Sequence, residues 1–500
     1  MNSVHDAGPV DAFGELDRFR CELHRCFTGR PDALFELTDA LLCSDGPVKS
    51  LVGLTLAPEH RRGHGAMYDG LNHGRIDVQR LRTALAGLSL PRAGDGRLML
   101  AVDVSAWLRP DAVTSPDRLF CHVYGRGRSQ DQFIPGWPYS FVAALEPGRT
   151  SWTAVLDAVR LGPDDDVAAV TAEQVRQVLH RLITAGQWHP GDPDVLAVFD
   201  SGYDLARLAF LLADLPVEVL GRVRSDRVLR RPAPARLAGA IGRPPKHGGE
   251  FHLADPDTWP GADAVTVTET SRYGIAEAQA WDRLHPRLTR RAAWLQHQGD
   301  LPVLEGTLIR LSVDHLPGDR DPKPLWLWSS RTGASPSHVD RLWQTFLRRF
   351  DLEHTFRLFK QTLGWTAPKL RDPHAADRWT WLVIAGHTQL RLARHLAQDL
   401  RRPWNVPHPR AGSPQHAYGV GFGTCARRPP DRPVHRNPAP PVPGARPGRR
   451  TADPQPTTTS AKPRNGPSPW TSRSTAQVKE QAKECFVSPL GPRGFRRRAR

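Results

Sequence analysis

Two aspartates stand where a charged side chain is costly. Asp103 lies in LMLAVDVSAW (98–107) and Asp200 in LAVFDSGY (196–203), and each segment is an apolar run suited to a strand buried in a sheet. An ionised carboxylate in such a run needs compensation, so the pair invites a metal ion, with a hydrogen-bonded strand-end cap as the alternative for either residue alone. A third carboxylate, Glu353, falls in LRRFDLEHTFRLFKQTLG (347–364). Helical spacing places Arg349 four residues before it, Arg357 four after and Lys360 seven after, on roughly one face. A structural ion-pair helix would look similar. Against that, Arg348, Arg349, Arg357 and Lys360 leave several cations without a local acidic partner, as a phosphate-binding face would.

The segments around these residues predict the elements that must position them. Between the two aspartate strands, SFVAALEP (140–147) and WTAVLDAVRL (152–161) read as further strands, and VTAEQVRQVLHRLITAG (170–186) as a helix closed by Gly186. After Asp200, YDLARLAFLLADL (203–215) reads as a helix and VEVLGRVR (217–224) as the next strand. Strands, helix and strand in that order predict a mixed α/β sheet with flanking helices. Residues 225–330 break into short apolar pieces, AVTVTET (264–270), TLIRLSV (307–313) and LWLWSS (325–330), which read as a β-rich insertion before Glu353. Helical periodicity returns over 338–364 and again over 374–400, the latter apolar enough for a core helix.

The expected organisation is a helical, DNA-binding segment over 1–95, a first core part over 96–224, the insertion over 225–330, a last core part over 331–402 and a tail over 403–500. The N-terminal segment carries PEHRRGHG (58–65) and RIDVQRLRTAL (75–85), whose arginines suit either DNA contact or a solvated helix face.

Charge is unevenly distributed. The net +16 rests on the tail, where 18 basic and 4 acidic side chains leave the first 402 residues near neutral at +2. Local basic clusters must therefore carry any DNA argument. The tail holds 19 prolines without apolar periodicity and reads as disordered, either a DNA-binding arm or high-GC DNA translated out of frame, the second being favoured. Six cysteines form no CxxC pair and read as reduced thiols. No apolar run approaches membrane-span length and the N-terminus lacks a secretory signal, so a soluble cytoplasmic protein is expected.

The spacing Phe346-x2-Arg349-x3-Glu353-x6-Lys360, with Asp103 in AVDVS and Asp200 in VFDSGYD, resembles the Tyr-x2-Arg-x3-Glu-x6-Lys signature of bacterial insertion-sequence DDE transposases. The likeness covers roughly residues 10–402 and departs from the signature in Phe346, where a tyrosine hydroxyl is lost. It implies an RNase H-like fold and Mg²⁺-dependent cleavage and strand transfer at transposon ends. Asp103, Asp200 and Glu353 would hold two Mg²⁺ ions, with Mn²⁺ as a substitute. It further implies that Arg349 and Lys360 place terminal phosphates, that Arg357 assists or pairs with Glu353, and that Arg126 and Arg128 touch the DNA backbone. Double-stranded DNA, as transposon end and target, is the implied partner, with self-association on DNA and no membrane. An RNase H-like nuclease without strand transfer, or a non-catalytic DNA-binding derivative, is the alternative. No GxxxxGK[ST] phosphate loop is present, so ATP-driven transposition is not indicated. Two further segments draw notice: AIGRPPKHGGEF (240–251), which resembles the Gly-Arg-Pro core of minor-groove hooks, and Trp259, Trp281 and Trp294 as base-stacking platforms, core packing being the alternative.

Overall fold

A computed structural model describes residues 9–44, 46–123, 132–148, 150–236, 241–291, 294–295, 297–316 and 322–394. Arg126, Arg128 and the whole 403–500 tail lie outside the described residues. Among the described residues no helix is long and apolar enough to cross a membrane.

The chain begins with α1 (Pro9–Cys26), β1 (Phe27–Gly29), α2 (Pro31–Cys43), α3 (Leu51–Leu54), α4 (His64–His73), β2 (Arg75–Ile76) and α5 (Val78–Ala86). It continues through β3 (Met99–Leu108), β4 (Leu119–Val123), β5 (Gln132–Leu145), β6 (Thr153–Arg160), α6 (Val167–Thr184), β7 (Val195–Phe199), α7 (Leu205–Leu211) and β8 (Val217–Val223). Next come β9 (Val228–Arg230), β10 (Glu250–His252), β11 (Ala264–Thr270), β12 (Gly274–Leu284), β13 (Gly306–Val313) and β14 (Leu325–Ser329). The helices α8 (Pro336–Arg348), α9 (Phe350–Gln361) and α10 (Pro373–Ala393) complete it.

The fold is mixed α/β around one ten-stranded sheet, ordered β11-β12-β13-β14-β8-β7-β3-β5-β4, with β6 also paired to β5. At its centre β3 pairs in parallel with β7, and β7 in parallel with β8, while β3–β5 and β5–β6 are antiparallel. Parallel strands demand crossovers, and α6 and α7 supply them. Both helices start where an aspartate caps them: Asp166 accepts from the Ala168 and Ala169 N–H groups, and Asp204 from that of Arg207. Gly186, at φ +70°, takes the left-handed turn that follows α6.

The elements differ from the sequence reading in three places. Residues 132–139, ahead of the strand read over 140–147, are the first half of β5. Gly136 is required there, since a Cβ would stand 2.6 Å from the Trp107 carbonyl oxygen of the paired strand. The strands of 264–329 form no sheet of their own but extend the central sheet beyond β8, through β14. Among them β12 escaped notice because its inward positions are alanines, Ala276, Ala278 and Ala280, weak strand formers that nevertheless alternate with period two. Finally, 338–364 is two helices, α8 and α9, with the joint at Arg349.

Helices cover both faces. On one, α6 and the Phe251–Trp281–Trp326–Trp328 cluster pack on β3, β7 and β14. On the other, α8 covers β7 and β12–β14, and α9 and α10 cover β3, β5 and β6. The helix α10 is buried along nearly its whole length, and α1, α2 and α4 pack around it, so the N-terminal helices share one apolar cluster with this face of the sheet. The arginines of α5 serve that docking: Arg82 reaches the buried Asp157 and Arg80 pairs with Glu22. Trp281 and Trp294 are likewise packing residues, and Trp259 is half-buried against Phe251 and Trp326.

Candidate functional site

Strand alternation and register decide where the acids go. Ala101 of β3 pairs with Val198 of β7, and both side chains face the α8/α9 side of the sheet. Two residues further along each strand, on that same face, come Asp103 and Asp200. Glu353 stands in the first turn of α9, which packs on β3. Residues separated by 250 positions of chain thus meet above the centre of the sheet.

They meet on Arg349. Its Nη1 donates to Asp103 Oδ2 at 2.7 Å, its Nη2 donates to Glu353 Oε1 at 3.1 Å, and the same Nη2 lies 3.3 Å from Asp200 Oδ2. The arginine is 1% exposed, with its guanidinium carbon over the Phe346 and Phe350 rings at 5.9 and 5.2 Å. One cation therefore serves three anions. Burial pushes the Asp103 carboxyl up to about 6, with Asp200 adding to the rise and Arg349 opposing it. Glu353 is pushed up to about 7, again by burial first, with repulsion from Asp103 and Asp200 opposed by Arg349. Arg349 itself is held above its ordinary value: burial works against its charge, and the three carboxylates more than offset that.

Asp200 is 4% exposed, and neither of its side-chain oxygens accepts a hydrogen bond, although Arg349 is within ion-pair distance. Buried lone pairs without donors, beside two further carboxylates, are the chemistry a hard divalent cation satisfies. Among the described residues no three acid, histidine or cysteine side chains already stand close enough to hold a metal ion. The guanidinium occupies the point on which the carboxylates converge. The donor set fits a divalent cation in type, while its spacing is set by Arg349.

The other expected site residues separate. Arg357 and Lys360 are exposed on α9, following Glu353 at i+4 and i+7, and Lys360 Nζ sits 5.7 Å from the Trp365 ring centre. Arg349, expected beside them on a phosphate-binding face, turns inward. A helix-wide pattern could not show this, because the break between α8 and α9 falls at that residue.

Arg222 was missed by the sequence reading. Gly221 of β8 pairs with Phe199, the residue before Asp200, and Arg222 follows on the face shared by Leu220. It is half-buried, and desolvation lowers its pKa while Asp200 raises it and Arg349 lowers it further, which puts it within electrostatic reach of both. The signal in sequence is an arginine near the end of a mostly apolar strand, VEVLGRV, whose other charged residue is Glu218.

No curated protein matches the chain in sequence. A family model described as DDE superfamily endonuclease matches residues 22–287, more than half of the chain, including Asp103 and Asp200 and ending before Arg349 and Glu353. With two carboxylates abreast on the central strands and a third brought to them by a later helix, this chain belongs to the DDE superfamily endonuclease family.

Proposed function

We propose that the protein is a DDE transposase of the insertion-sequence kind, cutting and rejoining double-stranded DNA ends with a divalent cation, Mg²⁺ or Mn²⁺, held by Asp103, Asp200 and Glu353. The observation that carries this reading is the convergence of those three acids, from β3, the end of β7 and α9, on one buried point. The strand order β6-β5-β3-β7-β8, with only β3–β7 and β7–β8 parallel, supports an RNase H-like core. The spacing from Phe346 to Lys360 supports the insertion-sequence branch.

Bound cations would supply Lewis acidity at the scissile phosphate and an acidified water or 3′-hydroxyl. The protein's own groups do the rest. The sheet holds Asp103 and Asp200 in a fixed register, so these two ligands need no rearrangement to face one phosphate. Arg357 and Lys360 lead from Glu353 to the surface as a short basic track for the backbone beside the cut. Arg222, within electrostatic reach of Asp200, would stabilise negative charge developing on that side of the site.

The test is nicking and strand transfer on the DNA segments flanking the gene, with Mg²⁺, for wild type and Asp200→Asn. Cleavage and joining by wild type alone is the expected result. Cleavage without joining would leave a nuclease, and equal cleavage by Asp200→Asn would remove the site.

A further inference from the structure

Resting on the reading above, we propose that Arg349 is a positioning residue that trades places with the divalent cation: it holds the three carboxylates assembled before the cation arrives and must withdraw for the cation to enter. The oxygens it engages, Asp103 Oδ2, Asp200 Oδ2 and Glu353 Oε1, are the ones a cation at the convergence point must take. Guanidinium and cation cannot both occupy the convergence point. Guanidinium nitrogens stand 2.7–3.3 Å from these oxygens, whereas Mg²⁺ requires about 2.1 Å, so the carboxylates must close inward as the guanidinium leaves. Charge favours the exchange, because one positive charge faces three carboxylates and a divalent ion supplies two.

The local structure provides for withdrawal. Arg349 is the joint between α8 and α9, where its N–H donates to the Phe346 carbonyl at 3.1 Å and its own carbonyl accepts from Leu352 at 3.0 Å. These tight three-residue turns interrupt the helix where a hinge would lie. Arg349 Nε makes no hydrogen bond, so among the described residues only carboxylates hydrogen-bond its fork, with the Phe346 and Phe350 rings lying against it. Once a cation claims them, nothing among the described residues hydrogen-bonds the guanidinium, and Arg357 and Lys360 mark the exposed face of the same helix.

The experiment is Mn²⁺ titration of the full chain without DNA, following free Mn²⁺ by electron paramagnetic resonance, with thermal unfolding alongside. Wild type should show a site that Asp200→Asn abolishes. Arg349→Ala should bind Mn²⁺ at that site at least about tenfold tighter, the scale of removing one competing contact of modest strength. It should melt below wild type without cation, and the gap should close when Mn²⁺ saturates; a merely structural arginine would leave the gap open. Arg349→Lys, which keeps charge but loses the fork, should bind with intermediate affinity and covers the case in which the alanine variant fails to fold. If the Asp200-dependent site is present and neither variant tightens it, the exchange is wrong while the site stands. If Asp200→Asn leaves wild-type binding unchanged, the carboxylate site falls and the exchange with it.

Discussion

Asp103 and Asp200 stand abreast on neighbouring parallel strands, each two residues beyond the paired Ala101 and Val198. Such a pair is electrostatically unfavourable without a shared counter-charge, which Arg349 supplies from 246 residues away from Asp103.

Asp103→Asn, Asp200→Asn and Glu353→Gln should each lower cleavage by more than about a hundredfold, since each removes a ligand charge rather than a DNA contact. End binding, measured by gel shift at fixed salt, should remain near wild type. Any one of them retaining wild-type cleavage would take that residue out of the site.

Arg357→Ala and Lys360→Ala should each reduce the dependence of log affinity on log salt by about one unit, because each exposed cation can release one counterion on meeting a phosphate. Arg357 makes no ion pair among the described residues, so its loss should barely change the melting temperature. An unaltered slope in both variants would mean that DNA does not run along α9.

Acid stability should depend on His387. Buried in α10 against Trp152 and Phe359, it is lowered to about 3, by burial first and then by Arg391. The unfolded chain takes up a proton near the ordinary value of 6.5 that the folded chain refuses. The stability is therefore fully present above about 6.5 and lost as pH falls toward about 3, at up to about 1.4 kcal/mol per unit. Urea unfolding at pH 7, 5.5 and 4.5 should show a shallower loss for His387→Leu than for wild type. Parallel losses in the two proteins would refute the assignment.

Asp157→Ala should destabilise the fold by about 3–5 kcal/mol, the scale of removing the buried partner of an ion pair. Its two oxygens accept from Arg82 Nε at 2.8 Å and Arg181 Nη2 at 2.6 Å, tying α5, β6 and α6 together. Chemical denaturation measures this directly, and a loss under about 1 kcal/mol would show that water reaches the two arginines.

By itself the sequence determined what is local. Continuous apolar runs marked β3 and β7 and placed an acid in one and at the end of the other. Helical period and a closing glycine marked α6, and its apolar content marked α10 as core. Tertiary structure alone decided what depends on pairing and packing. It joined β11–β14 to the central sheet, carried Arg222 to Asp200 through the β7–β8 register, and packed the N-terminal helices on α10. It also turned Arg349 inward while leaving Arg357 and Lys360 in solvent. Spacing along a helix says which residues share a face, but which face meets the sheet, and where the helix breaks to let one arginine through, is settled by contacts some 250 residues apart, where three carboxylates require a cation.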